Sequence, residues 1–379
     1  MILHDDLLHQ KRRVIMSTKD DANVLHAWAV SQGLFPTSVL APAVQDGDIA
    51  QRMPEVSELG RAVLRAKGIH QIVINEAQQR IYVLTKRARP SKRQLALLPK
   101  EVGDSAVEYL QGASGEVGGT PPTARGKPFY VVRVSDVDRY ACGSSVSLGN
   151  ALDAGTMGAL VRNVDGALFG LSNNHVTGGC NYAASQMPVM APGVLDVTPL
   201  GFDPRTLGYH EISLPLVAGL PGTANVADNL DAALFKIRDE AAVSSMQGDV
   251  YDTPTDVRAL TDDMAVEKVG RTTGHTTGKV VGIAHEPVGI HYSTQGVGYS
   301  FVGQVYFDPV WIVEGKGGAF SDNGDSGSLV TSVVEGKRVA VGLLIGGMKG
   351  QQGRDFTFIV PIASVLSRFN VTLVGGFNA

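Results

Sequence analysis

Asn323-Gly324-Asp325-Ser326-Gly327-Ser328, followed at once by the apolar pair Leu329-Val330, is the stretch whose reading decides the fold. A serine set between glycines at the entrance to a β-rich run suits a hydroxyl nucleophile on a tight turn. The glycines tolerate backbone geometry that a side chain would block. They also leave the amides of Gly324 and Ser326 able to point at a developing oxyanion. Clusters of Gly, Asp and Ser make ordinary turns as well, so the stretch decides nothing without partners elsewhere in the chain.

Two such partners lie upstream. His175 ends an apolar run in Leu171-Ser172-Asn173-Asn174-His175-Val176, where an imidazole titrating near neutral pH can serve as a general base. It can equally be a histidine hydrogen-bonded at a strand end. Asp231 stands directly before the apolar run Ala232-Ala233-Leu234-Phe235. A carboxylate there costs free energy unless it is paired, and an imidazolium is one such partner. Asp228 is a nearby competitor for that part, and a turn or cap aspartate is the plainer reading of Asp231.

Composition narrows the classes. The 379 residues can build two or three compact domains. Forty-five glycines, with many Val and Thr, favour a turn-rich β protein over a helical one. A net charge of −4 lacks the basic footprint of a nucleic-acid binder. The basic run from Lys86 to Arg93 reads as a solvated loop, with a phosphate or acidic-partner site as the alternative. No run of about 18 apolar residues occurs, so no membrane insertion is expected. The first residues have no basic segment followed by an apolar one, so no secretory signal is expected. With only Cys142 and Cys180, a reduced, cytoplasmic setting fits best. Metal-type spacings are absent, and neither metal nor organic cofactor is expected.

Along the chain, residues 1–111 read as a small α+β module with no catalytic cluster. Helices are expected over Asp20–Gln32, Pro54–Lys67 and Ser91–Leu98, with strands near Gln71–Ile74, Arg80–Leu84 and Ala106–Leu110. Residues 112–128, rich in Gly and Pro with little to bury, read as a linker open to proteolytic nicking at Arg125 or Lys127. From 129 to 379 the texture changes to short strands punctuated by glycine. These include Gly155–Arg162, Ala167–Ser172, Ala232–Ile237, Val266–Gly270, Thr277–Ile283, Ser300–Phe307, Ser328–Val334, Arg338–Ile345 and Phe356–Pro361, with a closing helix at Ile362–Phe369. Many short strands without a helix after each one predict a mainly β fold of two antiparallel barrels, not a doubly wound sheet.

The order of the three residues is informative. His175, Asp231 and Ser326 are separated by 231 − 175 = 56 and 326 − 231 = 95 positions. Histidine, aspartate, serine is the chain order of chymotrypsin-like proteases; subtilisin-like enzymes and α/β-hydrolases use others. Ser328 also breaks the G-x-S-x-G hydrolase elbow. On these stretches, and on Ala154–Val161 and Val269–Gly278, residues from about 130 to 370 resemble trypsin-like serine proteases of the chymotrypsin fold. Within them they are most similar to the cytoplasmic branch found in bacteria and in the plant narrow-leaf type.

That resemblance implies a serine endopeptidase acting on a protein or peptide substrate, with His175 as base, Asp231 as its orienter and Ser326 as nucleophile. The amides of Gly324 and Ser326 would form the oxyanion hole. Ile345, Gly346 and Gly347 would offer a strand edge to the substrate. Asp325 would pair with a cation or a backbone amine that orders the loop. A peptide-binding scaffold that does not cut and an esterase with the same residues are the alternatives. The amino-terminal module would restrain the protease body or recruit its target, and cleavage near the linker is one route to activation.

Overall fold

Residues 17–35, 43–114, 116–118, 130–197, 205–350 and 355–379 are described by the computed structural model. Most of the short apolar runs of the carboxy-terminal two-thirds pair antiparallel, Val243–Gln247 with Val137–Cys142 being parallel, and the mainly β expectation holds. Six strands close on one another as a barrel: Ala265–Gly270, Leu329–Val334, Lys337–Lys349, Phe356–Pro361, Trp311–Gly315 and Gly274–Ala284, the last pairing back to the first. Alternation puts Val266, Val280, Val313, Val330, Val341 and Ile359 inside it. Each such buried side chain contributes roughly 1.5–3 kcal/mol, which is why the register is fixed by which face is apolar.

The other body is a curled sheet. It runs from Gly155–Thr156 through Ser145–Leu148, Pro188–Ala191, Arg205–Ser213, Ala233–Ile237, Leu168–Ser172 and Ala159–Asn163 to Val371–Leu373. Thr156 and Ala159, near opposite ends of that order, are neighbours in the chain, so the sheet bends round toward closure. The expected single strand Gly155–Arg162 is therefore two strands. Helix Ile362–Phe369 buries Ile362, Val365 and Leu366, and stops at Asn370 in the left-handed region.

The amino-terminal region contains helices Thr18–Ser31, Asp46–Arg52 and Glu58–Lys67 on strands Ile69–Asn75, Arg80–Thr85 and Ser105–Gln111. Ser17 and Asp20 cap the first helix reciprocally. The third helix begins at Glu58 and not at Pro54, because the Ser57 hydroxyl accepts from the Gly60 amide and fixes the start. This sheet continues into the closed barrel, with Val73 opposite Ala284 and Ile74 opposite Ile283.

Part of the stretch read as linker is ordered into ladders. Ala113–Ser114 pairs antiparallel with Met348 and Lys349, and Glu116–Gly118 pairs parallel with His291–Ser293. Backbone pairing needs no apolar side chain, so composition gave no sign of it. Residues 119–128 of that stretch, including Arg125 and Lys127, lie outside the described residues. Among the described residues, no helix is long and apolar enough to cross a membrane.

Candidate active site

Strand Leu168–Ser172 delivers Asn173 and a short helical turn, Asn174–Thr177, which carries His175. Asp231 precedes strand Ala233–Ile237, which pairs directly with Leu168–Ser172, so the two residues meet at adjacent strand ends. The Asp231 Oδ2 lies 2.6 Å from His175 Nδ1, and the His175 amide donates to Oδ1 at 3.1 Å. Asn173 Nδ2 donates to the Asp231 carbonyl at 2.6 Å. Asp231 sits in the left-handed region at φ 45°, a conformation that aspartate tolerates better than most and that these contacts hold. Asp228, the competitor, is instead paired with Arg368 at the surface.

Tyr292 donates its hydroxyl to the same Asp231 Oδ2 at 2.8 Å and is fully buried. Burial, then the Asp231 charge, push the phenol well above its ordinary range, so it remains a donor. Burial by itself pulls His175 down, but the charge and hydrogen bond of Asp231, helped by Asp153, outweigh it and the imidazole is raised overall. The carboxylate therefore stabilises an imidazolium and fixes which nitrogen carries the proton in the neutral ring. Nε2 is the nitrogen left without a proton in that tautomer.

Ser326 comes from the closed barrel, and its loop is fastened to the curled sheet by Thr156. The Thr156 amide donates to the Ser326 carbonyl at 2.9 Å, and its hydroxyl donates to the Gly324 carbonyl at 2.9 Å. Ser172, three residues before His175, donates its hydroxyl to the Thr156 carbonyl at 2.7 Å. A Cβ on Gly327 would stand 2.6 Å from Ser172 Oγ and 3.2 Å from the Asn173 amide, so the residue after Ser326 abuts the turn that carries His175. Gly158 is required for the same closeness, since a Cβ there would lie 2.0 Å from the Gly327 carbonyl. Ser326 itself is half-buried. Among the described residues, neither the Gly324 nor the Ser326 amide donates to another group, with Gly324 at φ 94°.

The loop is ordered from beneath by Asp325. Its carboxylate accepts from the amides of Thr272, Thr273 and Asp322 and from the Thr273 hydroxyl, at 2.7–3.1 Å. Lys268 Nζ lies 3.2 Å away, and both side chains are wholly buried. The expected pairing with a cation thus has a named partner on the strand Ala265–Gly270. Burial lowers the Lys268 ammonium, with Asp325 opposing. Nearby, Arg271 pairs with Asp196 in the other body, its Nε donating at 2.8 Å.

The proposed strand edge is open on one side. Gly346 and Gly347 are opposite Phe358 and Thr357, while Leu329–Val334 stops at Leu343. Among the described residues, 345–347 have no strand partner on that side, and Ala113–Ser114 takes it up again at Met348–Lys349. Ile345 is fully buried, so only its backbone is on offer. His275 bonds Glu267 across its hairpin at 2.7 Å, in keeping with a structural part. Cys142 and Cys180 are free and buried, and burial pushes the Cys142 thiol up to about 12.

Thr156, Lys268 and Tyr292 were not singled out from sequence. Tyr292 carries a signal in the sequence, since Val288, Ile290 and Tyr292 alternate as buried positions in the strand Val288–Gly296. Nothing local marks Thr156 or distinguishes Lys268 from other lysines in strands.

No family model matches the chain, and no curated protein matches it. Solved structures do. Thermobifida fusca protease A is 18% identical, with 62% of this chain and 100% of that one covered and a TM-score of 0.39. A glutamic-acid-specific serine protease is 19% identical with the same coverage and TM-score. The chymotrypsin of Cellulomonas bogoriensis is 16% identical over 62% of this chain and 97% of its own, again at 0.39. At these values each is a protein to which this chain is similar in the course of its backbone, and no activity is transferred by that likeness.

Proposed function

We propose that the chain is a serine endopeptidase working through an acyl-enzyme. The observation that carries this is the buried Asp231–His175 pair, with Nδ1 held at 2.6 Å, set against a Ser326 loop whose Gly324 and Ser326 amides are uncommitted among the described residues. Ser326 Oγ attacks the peptide carbonyl while His175 Nε2 takes its proton. The oxyanion rests on the amides of Gly324 and Ser326, and His175 returns the proton to the leaving amine. Water then repeats the sequence on the ester. The free edge at 345–347 would align the substrate backbone by antiparallel pairing. On the sequence resemblance we place the enzyme in the cytoplasmic branch, to which two free, buried thiols are well suited.

Regulation follows from the same geometry. Asp325 already has a buried cation in the intact chain, so ordering the oxyanion loop does not call for a new amino terminus. Restraint would instead come from Ala113–Ser114, which lies on the substrate edge immediately beyond Gly347. The test is cleavage of a peptide library by the intact chain, with Ser326→Ala as control. Peptide cleavage lost in the control supports the endopeptidase. Activity on esters alone makes it an esterase, and no turnover of either by the intact chain or by the unrestrained variant that follows makes it a scaffold. In the double variant Ala113→Pro, Ser114→Pro, which removes whichever of the two alternating amides faces Met348–Lys349, faster cleavage supports the restraint and an unchanged rate rules it out.

A further inference from the structure

Far from His175 in sequence, helix Thr18–Ser31 places His26 against the two residues that follow strand Gly274–Ala284, His285 and Glu286. All three are nearly inaccessible, with side-chain exposures of 2% for His26, 6% for His285 and 3% for Glu286. One donor atom from each lies within 4.8 Å of the others. Several polar atoms of these three side chains are not satisfied. Both His26 nitrogens, His285 Nδ1 and Glu286 Oε1 lack a hydrogen bond among the described residues. His26 Nδ1 and Glu286 Oε1 approach to 3.1 Å without hydrogen-bond geometry. His285 Nε2 lies 3.8 Å from the same oxygen.

Buried polar atoms are nearly always partnered, and a buried carboxylate without a cation is costly. Two atoms that close, yet not bonded to each other, are placed as neighbouring ligands of a third body are. Tetrahedral Zn2+ with bonds near 2.0–2.2 Å sets its ligands about 3.3 Å apart, between the two separations seen here. The rest of the carboxylate is held in place. Gln71 Nε2 donates to Glu286 Oε2 at 3.0 Å and to its carbonyl at 2.9 Å, and the Ile72 amide donates to Oε2 at 3.3 Å. The His285 amide donates to the Ile72 carbonyl at 2.9 Å. Supporting bonds of this kind orient metal ligands and leave one oxygen free.

We propose that His26, His285 and Glu286 bind a divalent transition-metal ion, Zn2+ by the match of two imidazoles and one carboxylate. Burial favours neutral imidazoles, the form that coordinates. It also keeps substrate away, so the ion is structural: it fastens the first helix of the amino-terminal region to the protease body. The expectation of no metal rested on close ligand spacing in sequence, which a site assembled from residues 26 and 285–286 does not show.

The test uses the full chain as Ser326→Ala, so that self-cleavage does not interfere, freed of metal by a chelator and titrated with Zn2+ and separately with Co2+. One ion per chain is expected, with the visible bands of four-coordinate Co2+ and a higher melting temperature. His285→Gln and Glu286→Gln should each weaken binding at least 100-fold, and Gln71→Ala, which only positions Glu286, about 10–100-fold. Circular dichroism identifies any variant that fails to fold, and the parent chain alone decides the matter in that case. No uptake by the parent, or uptake unchanged in the folded variants, overturns the proposal.

Discussion

Replacing Lys268 by methionine removes one charge and little volume from a wholly buried pair. Breaking such a pair by deleting one partner costs about 3–5 kcal/mol, because the remaining ion is left uncompensated. Here the four hydrogen bonds to Asp325 from Thr272, Thr273 and Asp322 soften the loss, which argues for the lower end. If about 3 kcal/mol falls on the ordering of residues 322–327, the population with the Gly324 and Ser326 amides both in place drops about 100-fold. The assay is the second-order rate of labelling by a fluorophosphonate, followed with a thermal melt on the same sample. A fall of about 100-fold in rate is expected, with partial recovery in Lys268→Met, Asp325→Asn, since removing both charges is less costly than removing one. A Lys268→Met rate within twofold of the parent, with an unchanged melt, refutes the reasoning that this pair orders the loop.

Asp231→Asn keeps the shape but forfeits the tautomer control of His175, and labelling should fall by about 10⁴-fold in a parallel measurement. Tyr292→Phe removes one hydrogen bond to a buried carboxylate, worth about 1.5–3 kcal/mol, and should slow labelling roughly 10–100-fold without altering the far-ultraviolet spectrum. The labelling rate should rise with pH through the raised pKa of His175, since only the neutral ring accepts the serine proton. For stability the sign is opposite: a raised group contributes fully below its unfolded pKa near 6.5, and that contribution is lost as pH rises through the folded value. A pH–rate profile with its midpoint below 6.5 would contradict the assigned cause.

Much of this architecture could be read from residue pattern because the deciding features are local. Runs such as Val266–Gly270 and Phe356–Pro361 alternate or are wholly apolar, and they are bounded by turn residues, so they appear close to where they were expected. The pairing of His175 with Asp231 was approachable for a similar reason, since each borders an apolar strand and those two strands are neighbours. What escaped depends on contacts between remote segments. Thr156 acts through its amide, carbonyl and hydroxyl together, which no residue preference encodes. Lys268 is read as the solvent face of a strand until its partner is known. Ala113–Ser114 joins a ladder through backbone groups that every residue possesses. His26 and Glu286 meet only because the first helix packs on a barrel edge.

The central claim is that one hydroxyl among many is activated by the His175–Asp231 pair. Treating the intact chain with a fluorophosphonate and locating the adduct by mass spectrometry tests it most directly. The account predicts a single modified residue, Ser326, with no adduct in Ser326→Ala or after unfolding. Modification of any other serine at comparable rate, or none at Ser326 at a pH where His175 is neutral, would contradict it.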